Sequence, residues 1–256
     1  MTEYTDYFGP EGLRTRGTVL VVPGRGETRA TYARLGRRLA ADAYRVRVVG
    51  APGVDADDLT GSLLRFGGRL GAAAEDSATG EDGLARPLVV VAADTAAAAV
   101  AGLVALDEGP SGGRPDAVVL AGIPGHGATH AGSWEDELDV RTSCPAHRGT
   151  LTEDSGILRG ALDEPVPDAL LAAAYGSGTG VPALLLVGDA DPLADRDALA
   201  RAAASLPRAR LSVVRGAHHD VLNDLQHRSV AAEIVTFLET VRNELVPVVT
   251  VDSSAW

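Results

Sequence analysis

The chain has 256 residues, 45% of them apolar, with 35 acidic against 23 basic residues and a formal charge of −12. That composition supports a globular core and excludes wholesale disorder, and it lacks the clustered positive charge that a phosphate-backbone partner needs, so no nucleic acid is expected. Cys144 is the only cysteine, so an internal disulfide is excluded and nothing demands an oxidising compartment.

In chain order, the N-terminal MTEYTDYFGPEGLRTRG is polar and acidic, without the basic start and apolar run of a secretory signal, and a cytoplasmic location is expected. Tyr4–Phe8, the turn Gly9-Pro10-Glu11-Gly12 and Leu13–Arg16 predict an antiparallel hairpin. Thr18–Val22, Arg45–Val49, Leu88–Val91, Ala117–Leu120, Ala183–Val187 and Leu211–Val214 read as strands. Most are nearly continuous in Val, Leu and Ala, as strands covered on both faces are. Tyr32, Leu35, Leu39 and Ala43 form the apolar stripe of a helix after the first strand. Pro87–Leu106 is long enough to raise the question of a membrane span, but Asp94 at its centre would be costly in lipid. A buried strand running into a buried helix, Thr95–Leu106, accounts for it, and no span is expected. Leu193–Leu206 and Val230–Val241 are amphipathic helices. In the tail Leu245–Trp256, the stretch VPVVTV either adds an edge strand or packs on a second copy of the chain, which leaves a homo-oligomer open.

Strand–helix alternation of this kind predicts an α/β fold, a mostly parallel, doubly wound sheet with helices on both faces. Residues 1–123 and 181–256 form its core. The stretch 124–180 breaks the rhythm, being rich in Gly, Pro, charge and His. It follows the fourth parallel strand, where open α/β sheets carry ligands, and is expected to be a short lid. The vocabulary of Arg without Lys, heavy in Ala, Gly and Val, reads as the codon bias of a GC-rich bacterial genome, not as function.

Four segments after strand ends bear the chemistry. They are Val21-Val22-Pro23-Gly24-Arg25-Gly26-Glu27; Pro87-Leu88-Val89-Val90-Val91-Ala92-Ala93-Asp94-Thr95-Ala96-Ala97; and the pair VGDADP (187–192) with GAHHDVLND (216–224). Here the chain resembles the α/β-hydrolase superfamily, and within it the monoacylglycerol lipase and lysophospholipase-like group. PGRGETRATYARLGRRLA is similar to that group's HGxGEHxxRYxxLAxxL stretch, with Pro23 where His is usual. GAHHDVLND is similar to GARHExLNE, which implies His219 as catalytic histidine with His218 in the place of Arg. VGDADP is similar to HGxxDP, which implies Asp191 as the orienting acid, with Asp189 its competitor.

The family has G-x-S-x-G at the turn between strand and helix. Such a turn presents one side chain at the top of the sheet and needs small neighbours two residues either side. Ala92 and Ala96 meet that need around Asp94, so an Asp stands where the family has its nucleophilic Ser. A rival register, in which Ala93-Asp94-Thr95-Ala96-Ala97 resembles G-D-S-A-G, makes Thr95 the nucleophile, and a third reading has Asp94 only capping the helix. A carboxylate needs no base to be ionised, is weak toward ester carbonyls, and suits displacement at saturated carbon, as in epoxides and alkyl halides. This resembles the epoxide hydrolases and haloalkane dehalogenases of the same superfamily, although Thr95 stands where those have Trp. The expected machinery is a triad of Asp94, His219 and Asp191 with the backbone N–H groups of Arg25 and Thr95 as oxyanion hole, acting on a small, largely apolar ester- or epoxide-type substrate. The alternative is a non-hydrolytic member of the fold, an acid–base cyclase or lyase or a silent binding scaffold.

Other groupings are weaker. Trp134 and Tyr175 are the aromatics of the inserted stretch and candidates for substrate contact. His126, His130, Cys144 and His147 match no familiar zinc spacing, so no metal is expected. Gly24-Arg25-Gly26 lacks the third glycine of a dinucleotide loop, and no acid ends the second strand, so no cofactor is expected. Arg141 and Arg148 either hold an acidic substrate group or pair with carboxylates of the lid, and Asp220 is expected at the surface.

Overall fold

The computed structural model describes residues 4–78, 83–106, 114–130, 132–176 and 178–254, so the last two residues of the tail lie outside these while the stretch VPVVTV lies within them. Strands β1 (Thr5–Tyr7), β2 (Thr18–Val22), β3 (Arg45–Val48), β4 (Leu88–Ala93), β5 (Ala117–Ala121), β6 (Ala183–Gly188) and β7 (Ala209–Val214) form one seven-stranded sheet in the order β1-β3-β2-β4-β5-β6-β7. All of its pairings are parallel except that of β1 on β3. The helices are α1 (Ala33–Ala41, entered through the 3-10 turn Arg29–Tyr32), α2 (Leu59–Asp76), α3 (Asp94–Ala105), α4 (Trp134–Arg141), α5 (Pro145–Glu153), α6 (Asp168–Tyr175), α7 (Arg196–Ser205) and α8 (His227–Arg242).

Alternation along the strands divides the core into two layers. Leu20, Val22, Val90 and Ala92 face α2, α3 and α6, while Val19, Val21, Val89 and Val91 face α1 and α8. With β2, β4, β5 and β6 buried along their whole length, the nearly unbroken apolar runs are explained. Of the described helices, none is long and apolar enough to cross a membrane.

The expected parallel strands are all present, shifted only at their ends. The N-terminal hairpin is not. Tyr4–Phe8 lies instead along the free edge of β3, pairing Asp6 with Arg47. Arg47 is buried there and holds both Asp6 and Asp76, with Tyr4 stacked on its guanidinium. Leu13–Arg16 forms no strand and crosses beneath this edge, Arg16 N–H donating to Ala43 O. In the tail, the described residues add no strand, and Val246, Val248, Val249 and Val251 are exposed.

The stretch 124–180 divides between two places. α6 packs on α3 in the main core through Leu170, Leu171 and Ala174. α4 and α5 stand above the carboxyl ends of the strands around a small core of their own, Leu138, Leu151 and Ile157. Their starts were written in the sequence: Ser133 and Asp136 make a capping box at α4, and Pro145 opens α5.

Candidate active site

β4 ends at Ala93 and α3 begins at once with Asp94, whose φ of 52° is a left-handed conformation rare outside glycine. The bend lifts the carboxyl group away from the helix. It makes no capping bond to α3 but faces the loops after β2, β6 and β7. Ala92 and Ala96 are fully buried against the turn, and a Cβ on Gly24 would stand 3.0 Å from both the Asp94 Cβ and Glu27 Oε2, so a larger residue there would crowd the turn.

Two loops meet at this carboxylate and a third stands behind one of them. From the loop after β7, His219 Nε2 donates to Asp94 Oδ1 at 3.2 Å, and His219 Nδ1 donates to Asp191 Oδ2 at 3.0 Å, Asp191 coming from the loop after β6. Asp191 Oδ1 accepts from Leu193 N at 2.9 Å, which fixes the carboxylate in its own turn. From the loop after β2, Arg25 N–H donates to Asp94 Oδ2 at 2.8 Å. His219 and Asp191 are buried, as is Asp94. The β6 and β7 loops are held together by contact that admits only glycine: a Cβ on Gly188 would lie 2.0 Å from the Ala217 carbonyl oxygen.

The electrostatics follow from this line of alternating charge. Burial acts to raise the Asp94 pKa, but His219 and Arg25 outweigh it and hold the carboxyl far below the usual range. Burial acts to lower that of His219, but Asp191 and Asp94 outweigh it and raise the imidazole to about 10. At neutral pH Asp94 is therefore a carboxylate facing the His219 imidazolium.

No protein-family model matches the sequence, and no curated protein matches it. Solved structures do. A monoacylglycerol lipase of Paleococcus ferrophilus superposes with a TM-score of 0.68 at 16% identity, over 93% of this chain and 98% of that one. A soluble variant of the Saccharomyces cerevisiae monoglyceride lipase, in complex with a substrate analogue, gives 0.68 at 13% identity over 93% and 91%. A putative non-heme bromoperoxidase from Mycobacterium tuberculosis gives 0.62 at 17% identity over 93% and 95%. The chain has the α/β-hydrolase fold.

Within this α/β-hydrolase fold, Thr95, His218 and Asp189 fall away from the line of Asp94, His219 and Asp191. Thr95 Oγ1 lies 3.4 Å from Asp94 Oδ2 and does not meet His219. His218 Nδ1 turns to Asp224 at 3.0 Å, and Asp189 accepts from Gly216 N–H at the surface. A cleft of about 630 Å³ opens beside the line; Arg25, Thr95, Leu158, Arg159 and Val166 are among the residues lining it, and Asp94 is not. Trp134 and Tyr175 do not line it either. Trp134 packs on α4 and α5 under the Arg159 guanidinium, and Tyr175 donates to Pro124 O at 3.0 Å.

The guanidinium of Arg25 is what the sequence did not disclose. Its Nε donates to Asp94 Oδ2 at 2.9 Å and its Nη2 to Oδ1 at 2.9 Å, a two-pronged grip on the same carboxylate, while Nη1 reaches the Glu164 carbonyl. No local motif signals this, because the partners are far apart in sequence.

Asp220, expected at the surface, is buried. α4 and α5 close over it, bringing Arg141 to within 3.4 Å and His147 Nε2 to within 2.8 Å. Arg141 is buried too, pairs with Glu137 at 2.8 Å, and donates to the Arg25 carbonyl at 2.9 Å, so it braces the Arg25 loop from behind. Arg148 pairs with Glu135 and Asp139. His126 lies against Asp168 and Cys144 against Arg34, so the inserted histidines and the cysteine do not converge. Among the described residues, the group that does gather metal-ligating atoms is Glu27, His147 and Asp220, all within 4.8 Å of one another. Arg141 supplies positive charge beside it, and Glu27, whose pKa burial and Asp220 push up to about 7, accepts from Gly24 N–H at 2.9 Å and from the Tyr32 hydroxyl.

Proposed function

We propose that the chain is a hydrolase that opens small epoxides or displaces halide at saturated carbon through a covalent ester on Asp94. The observation that carries this reading is a carboxylate on the strained turn after β4, with Oδ2 on the Arg25 N–H and Oδ1 on an imidazolium backed by Asp191. Asp94 Oδ1 attacks carbon, forming C–O as the bond to the epoxide oxygen or halogen breaks. An epoxide alkoxide takes the proton of His219; a halide leaves as the anion, and His219 then gives its proton to solvent. Esterification removes the Asp94 charge that helped keep His219 protonated, so the imidazole, once neutral, serves as base. It takes a proton from water, and the hydroxide adds to Asp94 Cγ. Negative charge then gathers on Oδ2, already facing the Arg25 N–H, with the Thr95 N–H as the second donor. Collapse breaks the ester Cγ–O bond, His219 gives its proton to the departing alcohol oxygen, and the Asp94 carboxylic acid so formed passes its own proton to His219, restoring carboxylate beside imidazolium. Attack on an ester carbonyl would instead give an anhydride, so lipase-type cleavage is not part of this proposal. α4, α5 and the stretch 154–167 act as lid.

A single turnover in heavy-oxygen water tests this, using a panel of styrene oxide, glycidate and 2-chloropropanoate. The expected result is label in the Asp94-containing peptide and none in the first alcohol released. Turnover with label in the product and an unlabelled Asp94 peptide overturns it. The Arg25 grip favours a second reading, a scaffold in which Asp94 only anchors a buried charge pair; no turnover of any member of the panel supports that one.

A further inference from the structure

In the resting site the attacking oxygen is covered. Arg25 grips both oxygens of Asp94, its side chain is 14% exposed against 6% for Asp94, and the cleft meets Arg25 and not the carboxylate. A neutral ligand that moved the guanidinium aside would leave that cation, largely out of water, without a counter-charge, whereas Asp94 would keep His219 and the Arg25 N–H. A ligand bringing its own carboxylate would not leave the cation so. A carboxylate fits the Nε and Nη2 edge that Asp94 now occupies, and the exchange keeps Arg25 paired while releasing Oδ1. A second cation stands on the same cleft: Arg159 is exposed, stacks on Trp134 and donates to the Thr152 carbonyl, and among the described residues it has no acidic partner. The acids of the cleft do not compete for Arg25. Glu27 turns to Gly24 N–H and Tyr32, and Glu164 is exposed and offers only its carbonyl.

We propose that Arg25 is an anion-recognition residue that uncovers Asp94 by exchanging its carboxylate for that of the substrate, so that the substrates are short acids with the electrophilic carbon next to the carboxylate, such as 2-halo acids or glycidates. The substrate class rests on the reading of Asp94 as the attacking group; the anion subsite does not, and the two fail separately.

Binding of propanoate and of propanamide, neither of which can react, is measured by calorimetry on the whole chain. Propanoate is expected to bind at least about tenfold more tightly than the amide. Asp94→Asn, which removes the competing charge, is expected to tighten propanoate by about tenfold or more and leave the amide unchanged. Arg25→Lys, which keeps a cation beside Asp94 but not the fork, is expected to lose most of the preference. Equal binding of acid and amide, or no gain in Asp94→Asn, overturns the anion subsite. Kinetics complete the test: glycidate is expected to exceed glycidamide in kcat/KM, and a wild-type preference for glycidamide with label on Asp94 overturns the substrate class while leaving the nucleophile in place. Acid-selective binding with no label on Asp94 overturns the substrate class together with the nucleophile, and leaves only the subsite.

Discussion

Asp94→Asn should abolish turnover of any epoxide or alkyl halide that the wild type accepts, by roughly ten-thousand-fold or more, because an amide oxygen does not displace at carbon. The same change should lower stability by about 3–5 kcal/mol, since Arg25 and the His219 imidazolium lose a buried counter-charge. Denaturant midpoints and steady-state rates on the same preparation read both effects. The imidazole would also titrate lower in the variant, because Asp94 is one of the two groups that hold it near 10 in the wild type. A variant that keeps its stability and its rate would mean that the carboxylate neither anchors nor attacks.

The second expected effect is a loss of stability on the alkaline side. His219 has a folded pKa of about 10 against an ordinary 6.5, so its contribution is complete below pH 6.5 and is lost as pH rises through 10. Within that window this group alone removes up to about 1.4 kcal/mol per pH unit. Glu27, raised to about 7 from 4.5, begins the decline earlier, between those two values. Asp94 acts in the opposite sense: its depressed pKa gives stability present above the ordinary carboxylate range and lost as pH falls toward its folded value. Thermal melting of the wild type should therefore be highest in mildly acid solution. In Asp94→Asn the fall between pH 6.5 and 10 should flatten in part, since Asp191 still raises His219, while the part due to Glu27 persists, so the alkaline difference between the two curves isolates the share of the imidazolium that Asp94 holds.

That Asp94, His219, Asp191 and the Arg25 N–H come together was legible because each sits directly after a strand. Gly24 and Arg25 follow β2, Asp94 follows β4, Asp191 follows β6 and His219 follows β7, and in a parallel sheet those ends converge on one edge. What a short motif cannot carry is a partner distant in sequence. Arg25 entered the sequence reading for its N–H alone; that its guanidinium turns back on Asp94 depends on the Glu164 carbonyl and the Arg141 brace, both from the inserted stretch. Asp220 was misplaced for the same reason: it follows His219 in a loop, and only α4 and α5 bury it. The sequence reading did not find α2. Four glycines in eleven residues obscure its pattern, and Gly67 explains one of them, since a Cβ there would stand 2.9 Å from Leu103 of α3. The edge strand β1 was recognised as a strand but given the wrong neighbour, because its place is decided by which sheet edge is free.

The most direct measurement is the mass of a His219→Gln variant after incubation with an alkyl halide, 2-chloropropanoate first, since a halide leaves without a proton. With Asp94 intact and no base to activate water, the alkyl ester should accumulate, raising the intact mass by the alkyl group and mapping to the peptide that contains Asp94. A variant that stays unmodified while the wild type consumes the same halide, or that carries the group on another residue, would contradict the account.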